Sequence, residues 1–325
     1  MDLKEFLAEW NDSNDYVSAH TSGSTGQPKH IQLLKSDMLT SAKATNEFFG
    51  IDQHSVLGLP LSIDYIAGKM MAVRALAAKC QLVTINPSND FDAVGTFDLF
   101  SIVPSQAECL LRHPEWAASF RNIIIGGAPL PQQLATQLCD MGYNAYCSYG
   151  MTETCSHVAL APISNEIKPY VALPGISFEI DERGCLVIIA PNFSFKRLVT
   201  NDIVSLVDNR SFFWRGRFDN VINTGGIKIF PEELEKEISG FVSYPFYIVG
   251  APDPKWGTRI EMVVECGEEY KEKIQETLRK RLDHVKIPKN IYFVDTLPRT
   301  NTGKIKREII NSQNKTSKNR GYLTS

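Results

Sequence analysis

Four hydroxyl residues, two glycines, a proline and a lysine are crowded into Thr21-Ser22-Gly23-Ser24-Thr25-Gly26-Gln27-Pro28-Lys29. Short apolar runs, Tyr16–Ala19 and Ile31–Leu34, flank the stretch and read as strands. Glycine lets a backbone approach a ligand closely, and exposed N–H groups with hydroxyls and a lysine suit phosphate oxygens. The commoner phosphate loop is excluded. Counting from Gly23, Pro28 stands where that loop needs its second glycine, and His30 follows Lys29 where it needs Ser or Thr. The stretch also leads into a strand, so no helix dipole serves the phosphate.

With its pattern Thr-Ser-Gly-Ser-Thr-Gly-x-Pro-Lys, the stretch resembles the phosphate-binding signature of the adenylate-forming enzymes: acyl-CoA synthetases, nonribosomal-peptide adenylation domains and luciferases. Further segments resemble that family's motifs in the same order, from residue 17 to 310. The resemblance assigns Thr21, Ser22, Gly23, Ser24, Thr25, Gly26 and Lys29 to the β- and γ-phosphates of ATP. Gly126-Gly127-Ala128-Pro129 resembles the segment bordering adenine and the acyl pocket; it also reads as a tight turn after a strand, and the two are compatible. In Tyr149-Gly150-Met151-Thr152-Glu153 the resemblance implies that Tyr149 stacks on adenine, Thr152 contacts the α-phosphate and Glu153 binds Mg²⁺. The physical logic agrees, because a carboxylate beside phosphate is repulsive unless a hard cation intervenes.

Thr200-Asn201-Asp202 stands where the family has Thr-Gly-Asp, and Asp202 would accept bonds from the ribose hydroxyls. Asn201 replaces the usual glycine and is the next-best residue for a left-handed turn. In Gly216-Arg217-Phe218-Asp219, the resemblance gives Arg217 to the ribose or phosphate and makes Asp219 the interdomain hinge. Gly225-Gly226 would line the pantetheine tunnel for coenzyme A. Lys304, in Thr302-Gly303-Lys304-Ile305, matches the catalytic lysine that stabilises charge shared by the attacking carboxylate and the α-phosphate. Taken singly, several of these segments read as ordinary turns.

The elements that must position these residues follow from apolar patterning. Up to about residue 156, strands alternate with helices, which argues for an α/β layer fold with a mainly parallel sheet. Ser36 reads as the N-cap of a helix through Phe49, and Met70 and Met71 as core filler. Short strands then dominate and read as a β subdomain. A small α+β region follows Asp219, ending in a short helix at Ile305–Ile310. The expected organisation is an ATP- and acyl-binding domain over 1–218, a mobile lid domain over 219–310 and a polar, disordered tail over 311–325. The family normally carries a long region before the phosphate loop, so much of its usual first subdomain is missing. Either the form is naturally short or a partner subunit replaces that layer.

Composition narrows the rest. A net charge of −3 gives no general affinity for nucleic acid. The seven cysteines are scattered without a CxxC pair, which favours reduced thiols, and the six histidines lack metal-ligand spacing. With no signal core and no apolar run near ~18–20 residues, no membrane span is expected, and the cytoplasm follows by default. Self-association is left open.

The implied reaction converts a small carboxylic acid and ATP to an acyl-adenylate and pyrophosphate, with thiol attack second. No carrier domain follows, which favours coenzyme A as acceptor. Ser101-Ile102-Val103-Pro104-Ser105-Gln106 is similar to a segment of the o-succinylbenzoate–CoA ligases of menaquinone synthesis. Those enzymes usually carry Pro-Leu-Phe-His-x-x-Gly, whereas this chain has Pro60-Leu61-Ser62-Ile63-Asp64-Tyr65-Ile66-Ala67-Gly68. Ligases for other aromatic or medium-chain acids, and a nucleotide-binding homologue without ligase activity, remain the alternatives.

Overall fold

In a computed structural model of the chain, the described residues are 2–20, 30–299 and 305–309. Two compact units emerge. One comprises residues 1–200 and 204–214, the other 201–203 and 215–325. The stretch Thr21–Lys29, Lys304 and the tail beyond 310 lie outside the described residues.

Helix α1 (Leu3–Trp10) begins with a reciprocal cap, in which Glu5 N–H donates to Asp2 and Asp2 N–H to Glu5, both at 2.8 Å. Strands β1 (Tyr16–His20) and β2 (His30–Leu34) pair antiparallel. Then come α2 (Lys35–Phe49), β3 (Val56–Leu59), α3 (Ile66–Ala78), β4 (Gln81–Thr84), β5 (Leu99–Ile102), α4 (Pro104–Leu111), β6 (Ile123–Ile125), α5 (Gln132–Asp140) and β7 (Ala145–Gly150). All adjacent pairs in the order β4-β3-β5-β6-β7 are parallel.

Alternation along the short strands divides the core. Leu99 and Ile124 join α2 and α3, whereas Phe100, Ile102, Ile123 and Ile125 join α4 and α5. Burial on both faces explains why these strands read as unbroken apolar runs. Parallel pairing also brings the strands' carboxyl ends to one edge of the sheet, where ligands bind in open α/β sheets.

Six more strands complete this sheet: β8 (His157–Pro162), β9 (Tyr170–Ala172), β10 (Ser177–Ile180), β11 (Cys185–Ala190), β12 (Lys196–Asp208) and β13 (Ser211–Arg217). They extend it past β7 in the order β8-β9-β13-β12-β11-β10, giving 11 strands in all. The β-rich stretch thus continues the sheet, because β8 folds straight back antiparallel on β7.

The second unit holds β14 (Ile222–Thr224), β15 (Ile227–Ile229), α6 (Pro231–Ser239), β16 (Phe246–Asp253), β17 (Gly257–Glu265), α7 (Lys271–Arg281) and β18 (Asn290–Val294). Its sheet runs β15-β14-β17-β16, with β18 parallel to β17. Leu234, Ile238, Ile274 and Leu278 pack one face, and Tyr247, Val263 and Leu297 cluster on the other.

Two local expectations change. The N-cap of α2 is Leu34 rather than Ser36, and Asp37 in its first turn is buried and accepts from Ser194, whose backbone N–H lies 2.9 Å away. Residues 305–309 form no helix; Ile305 makes an isolated antiparallel bridge to Arg299. No helix of the described residues is long and apolar enough to cross a membrane. All seven cysteines are free thiols.

Candidate active site

In the first unit, the register pairs Ile125 with Cys147, so Gly126–Pro129 emerges beside Tyr149-Gly150 at the carboxyl ends of β6 and β7. The β7–β8 register shifts between Tyr149 and Gly150, a bulge of the kind that re-aims side chains beside sites. Gly150 is required there, because a Cβ on it would lie 2.4 Å from Ser156 O. Tyr149 is half-buried, edge-on to Phe212 at 5.0 Å and tilted against Tyr170 at 5.7 Å.

The chain then makes one tight turn over Thr152–Thr154. Thr154 builds it from inside: Met151 N–H donates to its hydroxyl at 3.0 Å, and the hydroxyl donates to Ser156 O at 2.7 Å. Thr152 is left half-buried and Glu153 exposed. Among the described residues no cluster of three or more His, Cys, Asp or Glu could hold a metal by itself. A lone exposed carboxylate does fit Mg²⁺, which usually takes one or two carboxylates and completes its shell with phosphates and water.

Sequence reasoning missed the polar group next to this turn. Arg74, on the buried side of α3, donates from Nη2 to Ser156 Oγ at 2.6 Å and from Nη1 to Met71 Sδ at 3.4 Å. Its Nη2 also lies 3.5 Å from His157 Nδ1, and His157 Nε2 lies 3.2 Å from Thr45 Oγ1. Arg74 Nε is buried without a hydrogen-bond partner, and no ion pair reaches this guanidinium among the described residues. Burial pulls the group down to about 9. Burial, then the nearby guanidinium, holds His157 well below the ordinary imidazole value. The signal was an arginine inside Met70-Met71-Ala72-Val73-Arg74-Ala75, a helix apolar on all sides.

Gln106 is also more structural than its motif implied. It is 3% exposed, and its Nε2 donates to Pro60 O at 3.0 Å and Ser88 O at 2.8 Å, pinning the loops after β3, β4 and β5 together.

In the second unit, the structure gathers Asp202, Arg217 and Asp219. Arg217 Nη1 lies 3.7 Å from Asp202 Oδ1, and its Nη2 donates to Asp219 Oδ2 at 3.2 Å. Asn201 Nδ2 reaches Asp219 Oδ2 at 3.3 Å. Gly225 and Gly226, at φ 58° and 84°, form the two-residue turn between β14 and β15, a shape that needs left-handed residues.

The site's chemistry and the fold meet in the comparisons. The family model described as AMP-binding enzyme matches residues 4–185, and that of the AMP-binding enzyme C-terminal domain matches residues 246–304. The chain therefore belongs to the AMP-binding enzyme family, the adenylate-forming acyl-CoA ligase superfamily. It is 27% identical to a 2-succinylbenzoate–CoA ligase of Enterococcus faecalis, over 88% of this chain and 67% of that protein. It is 28% identical to a feruloyl-CoA synthase of Amycolatopsis sp, over 88% of this chain and 67% of that protein. Among solved structures, an acyl-CoA synthetase (AMP-forming)/AMP-acid ligase II-like protein of Dyadobacter fermentans matches at 33% identity and TM-score 0.62, covering 93% of this chain and 90% of that one. The chain thus spans about two thirds of the curated relatives' length.

Proposed function

We propose that the chain is an ATP-dependent carboxylate–CoA ligase acting through an acyl-adenylate, with o-succinylbenzoate as the leading acid. The observation that carries this reading is the Tyr149–Glu153 turn, held by Thr154 and set beside Gly126–Pro129 at the carboxyl edge of the parallel strands.

A carboxylate oxygen of the acid attacks the α-phosphorus of ATP, the bond to the bridging oxygen breaks, and pyrophosphate leaves. The thiol of coenzyme A then attacks the acyl carbon and AMP departs. Residues Thr21–Gly26 and Lys29 hold the phosphates that leave, Thr152 contacts the α-phosphate, and Gly127, Ala128, Pro129, Tyr149 and Gly150 border the adenine. Asp202 and Arg217 take the ribose, Asp219 is the hinge, Gly225-Gly226 lines the coenzyme A path, and Lys304 faces the charge that develops during adenylation. Mg²⁺ at Glu153 would supply neutralisation of the phosphate oxygens. Holding acid and nucleotide side by side supplies proximity. The setting is the cytoplasm.

Two observations support o-succinylbenzoate: the likeness to a 2-succinylbenzoate–CoA ligase, and the buried Arg74, whose Nε lacks a hydrogen-bond partner and whose charge meets no carboxylate among the described residues, which suits an acid carrying a second carboxylate. The feruloyl-CoA synthase supports an aromatic monoacid instead. Pyrophosphate release with a panel of acids plus coenzyme A decides. Release with o-succinylbenzoate supports the reading, and release only with other acids overturns its substrate. ATP binding without acid-dependent release overturns the ligase.

A further inference from the structure

Arg307 is the residue of 305–309 whose side chain forms an ion pair among the described residues, and it forms it with a fork. Its Nη2 donates to Glu235 Oε2 at 2.8 Å, and its Nη1 donates to Glu235 Oε1 and to Ile248 O, the latter at 3.0 Å. Glu235 is itself fixed, since its Oε1 accepts from Ile248 N–H at 2.6 Å. Arg307 Nη2 also lies 3.5 Å from Glu232 Oε1, an oxygen that accepts from Asn220 Nδ2 at 2.5 Å. One connected group thus joins the chain after residue 304, helix α6, and the turn that contains Asp219.

The surrounding backbone explains what the fork holds. Ile305 bridges Arg299, Lys306 N–H donates to Pro298 O at 2.8 Å, and Tyr247 Oη donates to Glu308 O at 2.9 Å. The segment has no regular secondary structure of its own, and Ile305 supplies its apolar contact with the Tyr247–Val263–Leu297 cluster. A planar guanidinium matches a carboxylate in two bonds at once and fixes direction, which a lysine ammonium does not. In the sequence Lys304 directly precedes Ile305, the first residue of this fastened segment.

We propose that Arg307, clamped by Glu235 and braced through Glu232 to Asn220, is a positioning residue that sets where Lys304 is presented during adenylation. This rests on the ligase reading and on the role given there to Lys304. The core of the second unit, built on Leu234, Ile238, Ile248, Met262 and Leu278, does not include Arg307. Loss of the clamp therefore displaces the lysine without dissolving the unit.

The test separates the half-reactions, using acid-dependent pyrophosphate exchange for the first and thioester formation from supplied acyl-adenylate for the second. Arg307→Met should slow adenylation about 100-fold, the scale of a 1 Å misplacement, while KM for ATP and the thioester rate stay within about threefold. Arg307→Lys, which keeps charge without the fork, should fall between. If Arg307→Met does not fold, Glu235→Gln carries the test with a loss of about tenfold confined to the first half. Unchanged adenylation, or equal loss in both halves, overturns the inference. Lys304→Ala is run alongside. An unsubstituted chain without adenylation overturns the ligase reading itself, whereas an active chain disabled by Lys304→Ala but not by the clamp variants overturns only the positioning role.

Discussion

The Nη2 of Arg74 lies 2.6 Å from Ser156 Oγ, so a guanidinium buried in α3 is bonded to the residue immediately after the Thr152–Cys155 turn. Replacing buried ionic partners by apolar side chains of similar volume is often neutral or stabilising, and removing Arg74 leaves no buried carboxylate unpaired among the described residues. Arg74→Met should therefore change unfolding free energy by no more than about 2 kcal/mol, in either direction. With the guanidinium gone, kcat/KM should fall tenfold or more for a diacid and little for a monoacid, about 1.4 kcal/mol of lost recognition. Denaturant titration and the acid panel check the two halves of this statement.

His157 makes stability depend on pH. Its folded value is depressed by burial and by Arg74, so the unfolded chain takes up a proton that the folded chain refuses. Stability is full above the ordinary imidazole value of about 6.5 and falls as pH drops below it, by up to about 1.4 kcal/mol per unit. Urea midpoints between pH 7.5 and 5 should show this fall, and His157→Gln should flatten it.

Gly150→Ala tests the close crossing of β7 and β8. The added Cβ would lie 2.4 Å from Ser156 O and 2.5 Å from His157 Cα, both backbone atoms. The expected cost is about 1–3 kcal/mol, the usual penalty for forcing atoms into a filled site. Adenylation should fall with it, because Tyr149 and Thr152 stand on either side. A variant melting at the parent temperature would refute the crowding.

Gln106→Leu leaves Pro60 O and Ser88 O without their shared donor. The penalty for such orphaned groups is about 1–3 kcal/mol each, and thermal melting measures it. The ranking of acids should survive, because Gln106 joins loops and is 3% exposed. A changed ranking would place Gln106 in substrate recognition.

What was legible in the sequence was short-range. Phe100, Ile102, Ile123 and Ile125 sit in runs whose burial on both faces is written as continuous apolarity, so the parallel layer could be read. Gly225-Gly226 between Thr224 and Ile227 likewise carried its turn. Long-range relations were not legible. Nothing local announces that Asp37, in the first turn of α2, would accept from Ser194, 157 positions away. Arg74 and His157 stand 83 positions apart, and nothing in either neighbourhood ties one to the other. The short helix expected over Ile305–Ile310 is absent from 305–309, where the bridge to Arg299 and the pairing of Arg307 with Glu235 hold the chain, and both partners are remote in sequence or outside the segment.

The central claim is acyl-adenylate formation, and acid-dependent pyrophosphate release measures it most directly. With Mg·ATP, coenzyme A and o-succinylbenzoate, the account predicts pyrophosphate and the CoA thioester in equal amounts, both abolished by Lys304→Ala. Binding of ATP with no pyrophosphate released for any acid tried would contradict it.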